Sequence, residues 1–150
     1  MEFTHLDRNG TARMVDVSPK VPMRRTARAQ AVIVLQPGTV DAIREKALPK
    51  GDVLTVAKIA GINAAKRNAE IIPLCHTLPL DLVDVDFQIM DDRIVIRSIA
   101  RCVGRTGVEM EALAAAAGAA MGIYDMCKAI DKSMIINDVR LLEKTKEELS

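Results

Sequence analysis

Hydrophobic and polar residues alternate along this chain with two different periods, and each change of period predicts a change of element. Residues 83–89 place valine, phenylalanine and isoleucine at every second position with polar residues between them, which predicts a half-buried strand. The Asp91-Asp92 pair then predicts a turn, so that residues 93–103 return as the second strand of a hairpin. The strands predicted over the whole chain are residues 27–35, 83–89, 93–103 and 133–142.

Helical spacing of apolar residues occupies the segments between these strands. Thr39 and Asp52 are the expected N-caps of the first two helices, and Pro73 ends the second one because proline has no backbone hydrogen to donate. Thr106 and Glu109 have the spacing of a capping box, which predicts the start of the third and longest helix. The predicted helices are residues 39–47, 53–72 and 106–128.

The longest predicted helix contains a row of small residues. Ala114, Gly118 and Gly122 recur at four-residue spacing, and each glycine costs about 1 kcal/mol of helix propensity relative to alanine. We therefore expect a second backbone to lie close against this row. A neighbouring row has Glu111 near one end and Asp125 near the other with small residues between them, and we expect a cleft over it.

The order of elements is strand, helices, strand, strand, helix and strand, which is the split βαβ pattern of a ferredoxin-like fold. We expect an α+β protein with an antiparallel sheet and its helices packed on one face. The chain is predicted to be a single domain over residues 1–150, with an irregular N-terminal segment at 1–25 and a charged, frayed tail at 143–150. Because one face of such a sheet is left uncovered, we also expect a symmetric oligomer.

Composition and charge exclude several classes of function. The formal net charge of +1 gives no field to recruit nucleic acid or an anionic membrane, and an aromatic content of 2% argues against base stacking. The cysteines number 3 and lack CxxC spacing, which argues against a disulfide framework. The N-terminus lacks a signal-peptide pattern, and the longest apolar run is too short to span a bilayer. We expect a reduced, cytoplasmic protein that binds neither nucleic acid nor membrane.

Basic residues flank the turns and helix faces near the expected cleft. A chain that is almost neutral overall but gathers cations locally suits one polyanion, such as a nucleoside triphosphate. Each of these residues, taken alone, is also consistent with a surface charge. They are Lys50, Lys58, Lys66, Arg67, Arg105 and Lys128. A second basic cluster, Arg24, Arg25 and Arg28, is either a solvated stretch or part of an anion site.

Acidic residues on the longest helix are candidates for proton transfer. Asp125 lies in an otherwise apolar turn and needs a partner, which Lys128 at i+3 can supply. The two form either a structural ion pair or a proton-transfer pair. Glu109 is either the capping-box acid or a site residue, and Glu111 lies about 160° from it around the helix, so the two are not a carboxylate pair.

His76 lies on a short loop between Pro73 and Pro79, where the restricted backbone presents the imidazole at a defined place. Its ring is either packed or functional. With Cys75 it makes only a weak metal site, because no second pair of ligands follows at metal spacing. Residues 104–107 resemble a phosphate-binding turn loosely, without the spacing of a nucleotide-binding motif.

Six blocks of sequence, in order, closely resemble the cyclic pyranopterin monophosphate synthase family, the MoaC proteins of molybdenum cofactor biosynthesis. The blocks are MVDVS (14–18), KGDV (50–53), AKIAGINAAKR (57–67), IPLCH (72–76), TGVEMEAL (106–113) and IYDMCKA (123–129). The resemblance covers residues 4–142 and departs from the family at residues 19–25, in the short helix after Thr39 and in the tail. None of these departures touches a block.

The resemblance implies a ferredoxin-like subunit in a homohexamer, a trimer of dimers with active sites at the dimer interfaces. It implies the substrate 3′,8-cyclo-7,8-dihydroguanosine triphosphate (cyclic dihydro-GTP), which a radical SAM GTP cyclase makes. The products are cyclic pyranopterin monophosphate and pyrophosphate. Such a lyase works by general acid–base catalysis without a redox cofactor or a dedicated metal site, although Mg²⁺ can accompany the triphosphate.

By the same resemblance, the catalytic residues are expected to be Asp125, Lys128 and Lys50. The expected substrate-binding residues are Leu74, Cys75, His76, Glu109, Met110, Glu111 and Lys66. Two other classes of function compete with this one. The first is a nucleotide- or pterin-binding oligomer without catalysis, and the second is a structural oligomer whose ionic residues only hold interfaces.

Overall fold

A four-stranded antiparallel sheet with helices against one face forms the fold of the computed structural model, which describes residues 3–150. The first two residues of the segment predicted to be irregular lie outside the described residues. The strands are β1 (Met23–Val34), β2 (Leu80–Ile89), β3 (Arg93–Gly104) and β4 (Ile135–Glu147). The helices are α1 (Pro37–Arg44), α2 (Val53–Lys66), α3 (Asn68–Ile71) and α4 (Glu109–Cys127).

The strand order in the sheet is β2-β3-β1-β4, and every neighbouring pair is antiparallel. This order confirms the predicted α+β, ferredoxin-like class, in which the first and third strands occupy the centre of the sheet. The two longest helices, α2 and α4, pack together over the same side of the sheet. Within the described part of the chain, no helix is both long and apolar enough to cross a lipid bilayer.

Alternation along β1 decides which of its side chains meet the helices. Ala29, Ala31 and Ile33 are fully buried, and the β3 residues opposite them in register are also buried. One of these, Ser98, donates its hydroxyl hydrogen to the Ala112 carbonyl oxygen at 2.6 Å. This hydrogen bond ties α4 to the middle of the sheet, and the small side chains around it let the helix lie close.

Helices α2 and α4 touch through small residues. A methyl group added at Gly61 would lie 2.6 Å from the Ala115 carbonyl oxygen, and one added at Gly118 would lie 2.6 Å from the Ala64 methyl. Gly122 is similarly close to the α2 backbone. The predicted close approach of a second backbone is therefore confirmed. The cleft expected over this face of α4 is wrong, because α2 fills that space.

The first two helices begin and end partly as predicted. Asp52 caps α2 as expected, since its carboxylate accepts a hydrogen bond from the Thr55 backbone at 3.3 Å. The cap predicted at Thr39 is wrong, because α1 already starts at Pro37 and the Thr39 hydroxyl donates to Asp131 instead. α2 ends at Lys66 because the next residue leaves helical geometry (φ −105°, ψ 11°), and the remainder of the predicted helix contains the short α3.

The capping box predicted at the start of α4 is also wrong. The helix begins after Val108, and no side chain caps it. The Glu109 carboxylate lies 3.2 Å from the Lys144 ammonium of β4, so it pairs with a strand rather than with the Thr106 backbone. The sequence could not show this pairing, because it depends on the register of the last strand.

The C-terminal tail is ordered as a strand, which contradicts the expected frayed tail. β4 continues through most of residues 143–150 because its side chains find partners on β1. Arg28 lies 2.9 Å from Glu143, and Arg24 lies 3.8 Å from Glu147. The irregular N-terminal segment is likewise shorter than predicted, since β1 begins at Met23.

Candidate functional site

A pocket of about 310 Å³ at the start of α4 contains most of the residues expected to bind substrate. We call it the α4 N-terminal pocket. The loop after α3 forms one wall and the first turn of α4 forms another. The expected residues that line it are Leu74, Cys75, His76, Glu109, Met110 and Glu111. Two blocks that are distant in sequence therefore meet at one place.

The N-terminal segment closes a further side of this pocket. His76 lies with Nε2 2.7 Å from the Val15 carbonyl oxygen, so the ring donates an N–H to the segment and holds it in place. His5 and Lys20 line the pocket as well. Sequence reasoning missed both residues, because the segment has no periodic pattern and its cations are isolated from the other basic clusters.

Glu111 is a buried carboxyl group in this pocket. It is 4% exposed, and its Oε1 accepts a hydrogen bond from Asn68 at 3.4 Å. Burial raises the pKa of Glu111 above the ordinary value, and the nearby charge of Glu109 adds to the effect. Glu111 therefore offers either a proton or an acceptor oxygen to a ligand in the pocket.

At the opposite end of α4, three charged residues form a second group, which we call the lysine–carboxylate cluster. Asp125 Oδ1 lies 2.7 Å from Lys128 Nζ, and Asp125 Oδ2 lies 3.2 Å from Lys50 Nζ. The predicted i,i+3 partner of Asp125 is thus confirmed, and Lys50 joins it from the loop between α1 and α2. All three side chains are about half exposed.

Charge pairing within this cluster shifts its proton equilibria. Hydrogen bonds from Lys128 and then from Lys50 hold the pKa of the Asp125 carboxyl below its ordinary value. The hydrogen bond to Asp125 raises the pKa of Lys128 in return. An open hollow of about 390 Å³ lies over the pair, and its other walls are the apolar side chains of Met121, Tyr124 and Ile136.

One chain does not bring these two groups together. Glu111 and Asp125 are separated by fourteen residues of α4, which is about 21 Å at 1.5 Å per residue. Lys66 lines neither group but a third hollow, of about 280 Å³, that Ile62 and Asp81 also line. Within a single chain, Asp125 and Lys128 therefore line a different pocket from His76 and from Lys66.

The cysteines differ in burial, and one of them lines the α4 N-terminal pocket. Burial raises the pKa of Cys102 and of Cys127 to about 11, so both thiols stay protonated and inert at neutral pH. Cys75 is the more accessible thiol and lies in the α4 N-terminal pocket. Across residues 3–150, no three side chains of the metal-ligating types gather at one place.

Comparison with known proteins gives the same family as the sequence blocks. Residues 14–147 match the MoaC family. The chain is 49% identical to a cyclic pyranopterin monophosphate synthase of Peptoclostridium acidaminophilum over 97% of this chain and 92% of that protein. It is 51% identical to the enzyme of the same name from Nitratidesulfovibrio vulgaris over 95% of this chain and 90% of that protein. It is 57% identical to a molybdenum cofactor biosynthesis bifunctional protein of Chlorobaculum tepidum, of whose length it covers 46%.

Proposed function

The chain belongs to the MoaC family, and from that premise we propose that it is a cyclic pyranopterin monophosphate synthase of molybdenum cofactor biosynthesis. It is a lyase that converts cyclic dihydro-GTP to cyclic pyranopterin monophosphate and pyrophosphate. The observation that carries the proposal is the α4 N-terminal pocket, where six of the ten expected site residues meet. Two distant blocks of sequence supply them, as a built binding site requires.

The chemistry of this pocket suits a guanine-derived ring. Leu74 and Met110 supply apolar walls, and the Glu111 carboxyl oxygens can accept hydrogen bonds from adjacent ring N–H and amino groups. Because Glu111 is buried, a hydrogen bond to it is worth more than one to a solvated carboxylate. His76 supplies an N–H that can turn from Val15 to a phosphate or hydroxyl oxygen of the ligand.

The lysine–carboxylate cluster supplies the proton transfers. The reaction opens the imidazole ring of the purine, builds a pyrazine ring and closes a cyclic phosphate, and each stage moves protons without net oxidation. Asp125 accepts a proton as the base, and Lys128 donates one as the acid. Lys50 holds Asp125 in place and neutralises charge that develops on the phosphate that cyclises.

The two halves of the site act together only if they come from different subunits. A separation of about 21 Å along α4 is too long for one substrate to reach both groups in one chain. We therefore place the active site at a dimer interface within a homohexamer. The exposed apolar side chains beside the cluster support this, since Met121 is 65% and Tyr124 38% exposed and a second subunit would cover them.

A second subunit that covers the lysine–carboxylate cluster would also shift the pKa values of its residues. In the single chain, Asp125 has a lowered pKa and Lys128 a raised one, which makes the first a weak base and the second a weak acid. Desolvation disfavours both charged forms, so burial at an interface moves the two pKa values toward neutrality. Efficient proton transfer requires a pKa near the working pH. The interface thus completes the chemistry as well as the binding.

The remaining expectations belong to the same proposal. The enzyme works in the cytoplasm without a resident cofactor, and any Mg²⁺ arrives with the triphosphate of the substrate. The substrate comes from a radical SAM GTP cyclase. Free cysteines on this chain, Cys75, Cys102 and Cys127, suit a reducing compartment.

The test is to incubate the protein with cyclic dihydro-GTP and to follow pyrophosphate and the pterin product. Release of both supports the proposed enzyme. Tight binding of the substrate without release of pyrophosphate would indicate a binding oligomer, and the absence of both would indicate a structural one. Either of the last two results contradicts the proposal.

A further inference from the structure

A buried carboxamide lies behind one wall of the α4 N-terminal pocket. Asn68 is 2% exposed and does not itself line the pocket. Its side-chain Nδ2 donates a hydrogen bond to Oε1 of Glu111, which does line the pocket, at 3.4 Å. The sequence block that precedes Asn68 ends at Arg67, so the expected site gives this side chain no role.

The end of α2 explains why Asn68 is buried. α2 stops before Arg67, whose backbone angles (φ −105°, ψ 11°) are not helical, so the chain changes direction there. Arg67 is exposed, whereas the next side chain is buried. The Asn68 carbonyl oxygen accepts a hydrogen bond from the Ile72 N–H at 2.8 Å, and the Ile72 carbonyl oxygen accepts one from the Cys75 N–H at 3.1 Å. Asn68 therefore connects the loop wall of the pocket to Glu111 on α4.

The hydrogen bond from Asn68 acts on the ionisation of Glu111. Burial raises the pKa of this carboxyl group and the charge of Glu109 adds to the rise, whereas the N–H of Asn68 stabilises the ionised form. A hydrogen bond to a charged group is stronger in a buried site than in water. At 3.4 Å the bond is longer than the usual value of about 2.9–3.0 Å, and such hydrogen bonds often shorten when a site takes up its ligand.

An ionised Glu111 matches one edge of a guanine-type ring. That edge presents two adjacent donors, the ring N1–H and the 2-amino group, and a carboxylate has two acceptor oxygens. A protonated carboxyl group would turn one of these acceptors into a donor and lose the match. Because a carboxylate oxygen has two lone pairs, Oε1 can accept from Asn68 and from the ring together.

We propose that Asn68 is a positioning residue that fixes the Glu111 carboxylate for the N1–H and 2-amino edge of the substrate ring, and so sets the selectivity of the pocket for guanine-type rings. This inference rests on the proposed function. Asn68 does not touch the substrate and acts through Glu111 alone. Loss of its N–H leaves the Glu111 carboxyl group free to rotate and to take up a proton. Both changes weaken the contact with the 2-amino group more than they weaken the contacts of the rest of the ligand.

Calorimetric titration with GTP and with inosine triphosphate (ITP) tests this role without any turnover. Both nucleotides have the ring N1–H and the triphosphate, but ITP lacks the 2-amino group, so the ratio of the two dissociation constants isolates one contact.

The test variants are Asn68→Leu, which keeps the approximate shape of the side chain, and Asn68→Ala, which serves if leucine does not fit. The matched control is Gln30→Leu. Gln30 is also a buried carboxamide, it donates to the Asp138 carboxylate at 2.6 Å, and it lines neither the α4 N-terminal pocket nor the hollow over the lysine–carboxylate cluster. Thermal melting of all three variants checks that each remains folded.

The expected result is that wild type and Gln30→Leu bind GTP at least about tenfold more tightly than ITP, and that this preference falls at least about fivefold in both Asn68 variants. A wild type without a preference for GTP, an unchanged preference in the Asn68 variants, or an equal loss in the control overturns the positioning role. The proposed function fails separately, since it requires that wild type release pyrophosphate from cyclic dihydro-GTP. A wild type that releases it while the Asn68 variants keep the preference for GTP would leave the function standing and remove the positioning role.

Discussion

Lys50 and Asp125 lie far apart in sequence, yet the Lys50 ammonium is 3.2 Å from both a carboxylate oxygen and the backbone carbonyl oxygen of Asp125. This contact joins the loop after α1 to the last turn of α4. It converts a helical i,i+3 ion pair, which is common on protein surfaces, into a carboxylate held between two ammonium groups. The arrangement keeps Asp125 ionised and oriented, as a general base must be.

The role of Asp125 predicts a selective loss of turnover. Asp125→Asn keeps the shape of the side chain but removes the base, so pyrophosphate release from cyclic dihydro-GTP should fall about 100- to 10,000-fold. Because the side chain is half exposed, the melting temperature should barely change. Normal turnover in the folded variant would remove the catalytic assignment.

The buried hydrogen bonds of Asp131 predict how the stability of the fold changes as the pH falls. Its carboxylate is 1% exposed and accepts hydrogen bonds from the Gln36 backbone at 2.9 Å, from the Thr39 hydroxyl at 3.0 Å and from Ser133. Burial alone would raise its pKa, but these hydrogen bonds together lower it. The stabilisation is therefore complete above the unfolded pKa of about 3.9 and is lost as the pH falls through the lower folded value.

The free energy of unfolding of Asp131→Ala should accordingly be about 3 kcal/mol lower than that of wild type at pH 7, because buried donors lose their acceptor. The difference from wild type should shrink below about pH 4. Urea unfolding at a series of pH values measures both effects. A difference that stays constant down to pH 2 would show that the carboxylate charge does not matter.

The burial of Glu111 predicts a contribution to stability that changes with pH in the opposite direction. Burial raises its pKa, so the folded chain binds more protons than the unfolded one above about pH 4.3, and stability falls as the pH rises through that window. Glu111→Gln removes this penalty and should melt higher at neutral pH, by about 2–4 °C for each kcal/mol relieved. It should also bind cyclic dihydro-GTP more weakly. Scanning calorimetry at pH 4 and pH 8 checks the first effect, and a lower melting temperature at pH 8 would contradict it.

The close contact between α2 and α4 predicts that even a methyl group added at a glycine there lowers the stability of the fold. Gly61→Ala gains about 1 kcal/mol of helix propensity but forces a methyl against the Ala115 carbonyl oxygen, and overpacking costs about 1–3 kcal/mol. A backbone oxygen cannot move aside, so we expect a cost near the upper end of this range and a net loss of about 2 kcal/mol. Gly38→Ala is the control, because a methyl there meets nothing within 4 Å. Equal urea midpoints for the two variants would refute the packing argument.

The fold could be predicted from the sequence because its signals are local. Alternation in β2 and β3 and the small residues of α4 each reflect contacts that a single element imposes on its own residues. The end of β4 could not be predicted, since its charged side chains are stabilised by Arg24 and Arg28 on another strand. The caps predicted at Thr39 and at the start of α4 failed for the same reason, because Thr39 and Glu109 have long-range partners that outweigh the local pattern.

The sequence predicted that several residues of the candidate site lie close together, but it did not predict the distance between its two groups. Sequence blocks brought His76 and Glu111 into one expected site, and both line one pocket. The separation of Asp125 from that pocket follows from helix length, which the sequence does show, because fourteen residues of helix cannot fold back on themselves. The ion pairs of Arg24 and Arg28 with β4 depend on strand register, which only the structure supplies.

Complementation between two inactive variants tests the two-subunit site most directly. Asp125→Asn and His76→Ala are each expected to be inactive, and subunits of the two are unfolded, mixed in equal amounts and refolded together. If each site takes Asp125 from one subunit and His76 from the other, half of the dimers are mixed and each holds one intact site. The account predicts about a quarter of wild-type turnover of cyclic dihydro-GTP in the mixture. Turnover no higher than that of the separate variants would contradict it.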